Sequence, residues 1–170
     1  ATGVAIALEI LRIVAAIGCN RTIIGFFTTG EEGGAIGLRS YIEESQHEEI
    51  NGAKAVIVLD VLGEGDQLCF VSEGLWPDKT IKSSEHLNRL LAESATDLDY
   101  EIVPYVNQLG LADAEPFIEA GIPATWIEKR VSPFNHTSMD LPDRIEASSM
   151  KDASEITLLT LLRLDRTADM

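Results

Sequence analysis

Basic residues are scarce in this chain: 13 Lys and Arg stand against 28 Asp and Glu in 170 residues, giving a formal charge of -15 and a pI near 4.4. Phosphate binding needs clustered Lys and Arg, so this balance argues against a nucleic-acid partner. Cysteine is scarcer still. Cys19 and Cys69 are too few for a disulfide framework, and both read as free thiols. No stretch reaches the roughly 18 uninterrupted apolar residues of a membrane span. The apolar N-terminal stretch has no basic leader and is broken by Glu9 and Arg12, so it does not read as a signal peptide. Two chemical signatures are also missing. No Gly-rich phosphate loop follows a strand, and no G-x-S-x-G nucleophile elbow occurs.

What is present fits an ordinary globular domain, with 45% apolar and 6% aromatic residues. The length suits one α/β domain spanning residues 1–170, large enough to bury a real core. The excess of acid aids solubility, and it also attracts cations and ammonium groups.

Apolar periodicity alternates between helix and strand. Thr2 stands where an N-cap would begin a helix to about Ile17, with Val4, Leu8, Leu11 and Ala15 on one stripe and Ile6, Ile10, Ile13 and Ile17 on another. Such a helix is expected to be buried on most sides. Thr22–Thr29 reads as a buried strand, and Ala35–Ser45 as a helix. Ala53–Leu62 reads as the central strand, with Gln67–Ser72 pairing beside it. A helix over Thr80–Ala95, a strand over Glu101–Val106, a short helix over Asp113–Ala120 and a strand over Pro123–Glu128 follow. A loop over Pro133–Pro142 then leads to a helix over Ile145–Leu164. This alternation implies a mostly parallel, mixed sheet with helices on both faces.

In such folds chemistry gathers at the C-terminal ends of the strands. Three positions there carry ionisable side chains. Glu31 and Glu32, in Gly30–Gly34, follow an apolar run, and the flanking glycines permit a turn that aims both carboxylates into one place. They suit either a hydrolytic metal site or the N-terminus of the next helix. Asp60 interrupts an apolar strand, and it needs a cation or several donors. His136 stands in a loop with Asp140 four residues on, as a ligand or as a merely exposed side chain. His86, on a polar helix, and His47, in a charged stretch, read as solvated.

Taken in order, the segments resemble the co-catalytic zinc aminopeptidases, a family with carboxypeptidase Q, glutamate carboxypeptidase and glutaminyl cyclase as relatives. The residues that carry the resemblance are Ala1-Thr2-Gly3, Gly30-Glu31-Glu32-Gly33, Leu59-Asp60-Val61, Asp113 to Phe117, Gly121-Ile122-Pro123-Ala124, and His136-Thr137 before Asp140. The resemblance implies a zinc exopeptidase fold cut short at its N-terminus and a peptide or dipeptide substrate. It implies Glu31 as general base, Glu32 on one zinc, Asp60 and His136 on a second, and Asp113 supporting the site from behind. It further implies that a bridging Asp and a His lie upstream of residue 1, outside these 170 residues. Ala112 and Ala114 stand where the family has Ser and His, which leaves a non-catalytic binding module or a cyclase-like acyl transfer as alternatives. Self-association through surfaces opened by the missing part is expected, and export from the cell is implied by bacterial relatives.

Overall fold

The computed structural model describes residues 1–44, 50, 52–65, 67–130 and 134–167. Helix α1 (Thr2–Ile17) is followed by an extended stretch, a 3-10 turn at Glu31–Gly33 and helix α2 (Ile36–Glu44). Strands β1 (Val56–Leu59), β2 (Leu68–Leu75) and β3 (Thr80–Lys82) lead to helix α3 (Glu85–Asp97). Strand β4 (Val103–Asn107), helix α4 (Ala114–Glu119), strand β5 (Ala124–Lys129) and helix α5 (Ala147–Arg166) complete the order.

The sheet is mixed. β5 lies between β1, which it pairs in parallel, and β2, which it pairs antiparallel. β2 also pairs β4 in parallel and β3 antiparallel. Apolar side chains alternate between the two faces, as strand geometry requires. Val56, Val58, Val71 and Trp126 pack with Leu38, Leu111 and Phe117 beneath α2 and α4. Ile57, Leu59, Leu68 and Ile127 pack with Ile6, Ile10, Leu91 and Ile156 beneath α1, α3 and α5.

Several expectations need correction. Thr22–Thr29 is extended and apolar, yet forms no strand ladder, because it has no neighbouring strand beside it. Gln67–Ser72 does become a strand, prolonged to Leu75, but β5 separates it from β1. The stretch over Thr80–Ala95 divides. Thr80–Lys82 joins the sheet edge, and the helix starts only after Ser84, whose hydroxyl accepts the Leu87 amide at 3.4 Å. Thr2 does not cap α1; its hydroxyl accepts the Leu62 amide at 3.2 Å.

Helix α1 is also less buried than its composition suggests. Gly3, Ile6, Ile10 and Val14 are buried, but Val4 and Leu8 remain 46% and 55% exposed. The stripe that holds Val4 and Leu8 therefore lacks a covering surface among the described residues. Cys69 is buried and Cys19 half-buried, and neither forms a disulfide.

Candidate metal centre

The C-terminal end of β1 and the loops beside it form an acidic rim. Gly30 and Gly34 both adopt left-handed conformations, at φ 72° and 90°, and they bracket the 3-10 turn that carries Glu31 and Glu32. The Gly34 and Ala35 amides donate to the Glu31 carbonyl at 2.8 and 2.9 Å. A Cβ at either bracket would incur the left-handed penalty, which glycine avoids. Asp60 is the first residue past β1, and its amide donates to the Ile127 carbonyl at 3.3 Å.

Asp113 lies at the start of α4. Its Oδ2 accepts a hydrogen bond from the Thr28 hydroxyl, while Oδ1 is buried without a hydrogen-bond partner. His136 Nε2 stands 3.4 Å from Glu32 Oε1, and these side chains are 64% and 74% exposed. The backbone is unusual beside three of these groups. Val61, Ala112 and His136 itself have φ of 49°, 45° and 62°, a region that a β-branched residue such as Val seldom enters.

The carboxyls raise one another's proton affinity. Burial first, then the charges of Asp60, Glu32 and Asp113, push Glu31 up to about 7, against a smaller opposing pull from His136. Asp60 is raised by burial, with Asp113 and Glu32 adding to the effect and the Val61 amide and Ala1 amino group opposing it. Asp113 is raised by burial, and the Thr28 hydroxyl opposes this. No Lys or Arg side chain is among the causes of these three shifts. The rim is short of positive charge.

Sequence reasoning missed Glu128. It is buried on β5, one residue beyond the Leu59–Ile127 pair, so it adjoins Asp60 across the strands. Burial, then the Asp60 charge, pushes it up to about 7. The signal available in sequence was a carboxylate closing an apolar strand, as at Asp60. A testable consequence follows. With the folded value near 7 and the ordinary value at 4.5, the folded state holds more protons between those pH values. Stability therefore falls as pH rises from about 4.5 to 7. In thermal melts, Glu128→Gln is expected to flatten that slope and to stabilise the chain at pH 8 by about 2 kcal/mol. An unchanged slope would show that Glu128 is solvated.

The structure thus brings Glu31, Glu32, Asp60, Asp113 and His136 into one electrostatic neighbourhood, with Glu32 and His136 in direct contact. Asp140 is exposed, its amide bonded to the Thr137 carbonyl at 3.2 Å. His86 is exposed on α3 with Nδ1 3.1 Å from Arg89 Nη2; His47 lies outside the described residues. Carboxylates and one imidazole are the donors that zinc accepts, and the unpartnered Asp113 Oδ1 marks a place for positive charge. Among the described residues, however, no three His, Cys, Asp or Glu side chains are grouped closely enough to hold a metal ion. The donors fit zinc in kind, and this chain groups them only in part.

Peptidase family M28 matches residues 1–161. A zinc aminopeptidase from Bacillus subtilis superposes with a TM-score of 0.80 at 18% identity, covering 99% of this chain and 42% of its own. LapB from Legionella pneumophila gives 0.82 at 20%, covering 98% and 46%. A glutaminyl cyclase from an Acidobacteriales bacterium gives 0.67 at 19%, covering 95% and 59%. No curated protein matches by sequence. The chain spans less than half the length of the Bacillus subtilis enzyme and of LapB, and at such identity the three structures establish the fold alone.

Proposed function

Because the chain belongs to peptidase family M28, we propose that its acidic rim serves zinc-dependent hydrolysis of N-terminal peptide bonds, as an aminopeptidase or related exopeptidase. The observation that carries this reading is the convergence of Glu31, Glu32, Asp60 and Asp113 with no Lys or Arg among them. A structural acidic cluster would be neutralised by basic side chains. Glu115 and Glu119 show the difference: Lys79 Nζ reaches them at 2.9 and 2.8 Å.

In this proposal Glu32, Asp60 and His136 hold zinc together with donors from outside these residues, and Asp113 steadies the rim through Thr28. When bound, zinc supplies Lewis acidity and stabilises negative charge developing on the substrate. A positive charge beside Glu31 lowers its pKa from about 7. It is then ionised at neutral pH and can take a proton from the attacking water. The same carboxyl can later give that proton to the departing amine. The excess of carboxylates also draws in the ammonium group of a peptide or dipeptide substrate.

Zinc titration followed by calorimetry tests the site. Uptake is expected to weaken at least tenfold in Glu32→Ala and in His136→Ala, with His86→Ala unchanged. No uptake by the unaltered chain, and no hydrolysis of aminoacyl anilides, would instead support a non-catalytic binding module.

A further inference from the structure

We propose that Glu128 selects the substrate, its carboxylate pairing with the ammonium or guanidinium of a Lys or Arg side chain on the substrate's first residue. Asp60 serves here as a zinc ligand beside that subsite, so the proposal rests on the peptidase reading.

The ladder between β1 and β5 continues one step past Leu59 and Ile127, where the Asp60 amide donates to the Ile127 carbonyl at 3.3 Å. Asp60 and Glu128 are therefore neighbours on adjacent parallel strands, and neighbours in register share a face of the sheet. That face is the one of Val58 and Trp126, beneath α2 and α4. Adjacent main chains lie about 4.8 Å apart. An extended lysine side chain carries its ammonium roughly 6 Å from Cα at standard bond lengths. A first residue held at Asp60 thus reaches one strand further with its side-chain cation.

Glu128 has no cation of its own. It is 6% exposed, too little for a hydration shell. Among the described residues no hydrogen-bond donor or basic side chain acts on its carboxylate, and the charge that does is the like charge of Asp60. Its neighbours are provided for. Lys129 has Asp152 at 3.0 Å, and Glu115, as deeply buried, gathers Trp76 Nε1, Lys79 Nζ and Arg39 Nη2 at 2.8, 2.9 and 3.3 Å. Arg130, two residues along from Glu128, lies over the Tyr105 ring at 5.5 Å instead. The Trp126 indole N–H shares the face and is itself buried without a partner, yet does not donate to Glu128. A buried carboxylate left ionised and unpaired is costly, and a ligand that brings a cation removes the cost.

The surroundings choose the class of cation. Zinc takes three or four protein donors in its sites. Asp60 is committed to the rim, and neither His136 nor Glu32 is among the charges acting on Glu128, so a separate metal there would find one donor. An ammonium or guanidinium needs a single carboxylate and forms a charge-assisted bond with it. A neutral side chain in the same place would leave Glu128 unpaired, and sites that strand a buried polar group reject such analogues.

L-Lysinamide and L-norleucinamide test this, because they share the α-amine and the four-carbon stem and differ in the side-chain ammonium. Calorimetry on the unaltered 170-residue chain at pH 8, with zinc present, should give lysinamide at least tenfold the affinity of norleucinamide. Glu128→Gln should bring the two within about twofold. That variant is expected to gain stability, so the change is not a loss of folding. Glu93→Gln removes an exposed charge on α3 and should leave the gap intact, which separates pairing from the general pull of an acidic chain. Equal affinities in the unaltered chain, no binding at millimolar lysinamide, or a gap that survives Glu128→Gln would overturn the proposal. Discrimination that depends on Glu128 in a chain that hydrolyses no aminoacyl anilide would sink the peptidase reading and uphold the subsite. Hydrolysis of lysyl and leucyl anilides at equal kcat/KM would do the reverse.

Discussion

Replacing Glu31 by Gln is expected to lower kcat for hydrolysis of a leucyl anilide about a thousandfold, with zinc content unchanged. A positioned proton acceptor contributes about 10²- to 10⁴-fold, and a thousandfold loss corresponds to about 4 kcal/mol of transition-state stabilisation. Gln keeps the size of the side chain and removes its basicity. It also removes a carboxyl that burial and three neighbouring acids push up to about 7. The melting temperature at pH 8 should therefore hold or rise, which separates lost chemistry from lost folding. Hydrolysis at the original rate would remove Glu31 from the role of base. Joint loss of hydrolysis and zinc would make it a ligand.

Gly3→Ala should produce the largest loss of stability. A Cβ there would lie 1.8 Å from the Leu59 carbonyl oxygen and 2.8 Å from its carbon. Both are main-chain atoms at the end of β1 and cannot swing aside. Helix α1 must back away, breaking the Thr2 bond to Leu62 and the packing of Ile6 and Ile10. Overpacking of this kind costs about 3 kcal/mol, or a fall of about 10 °C in Tm for a chain of this size. Gly18, at a φ of 78° and with open space around it, is the control, and its alanine variant should lose about 1 kcal/mol. Equal losses at both positions would show that α1 does not seat on β1 as described.

Much of this was legible in sequence, for identifiable reasons. Glu31, Glu32, Asp60 and His136 could be picked out because each interrupts or follows an apolar run where burial of charge is costly. The helices α1, α4 and α5 and the strands β1 and β5 followed from periodicity. Thr22–Thr29 did not become a strand despite its composition. Strand formation needs a partner, and composition reports only the capacity to be buried. The separation of β2 from β1 by β5 was hidden for a related reason, since sheet order is decided by contacts distant in sequence. Thr80–Lys82 was lost to helix because three residues carry too little periodicity, and Ser84 marked the true start. Glu128 escaped notice because its significance lies in its neighbour across the strands, Asp60.

Val61, Ala112 and His136 turn the main chain left-handed at or beside Asp60, Asp113 and the imidazole. The backbone at these positions thus sets where each group sets out from, before any side-chain torsion is chosen. Shape at this rim is held under tension, at about 1–3 kcal/mol for each such residue, and the remainder of the fold must supply the restraint. Glycine at 61 or 112 would relieve that tension while loosening the main chain there, so the substitutions kindest to folding are the ones least suited to preserving aim.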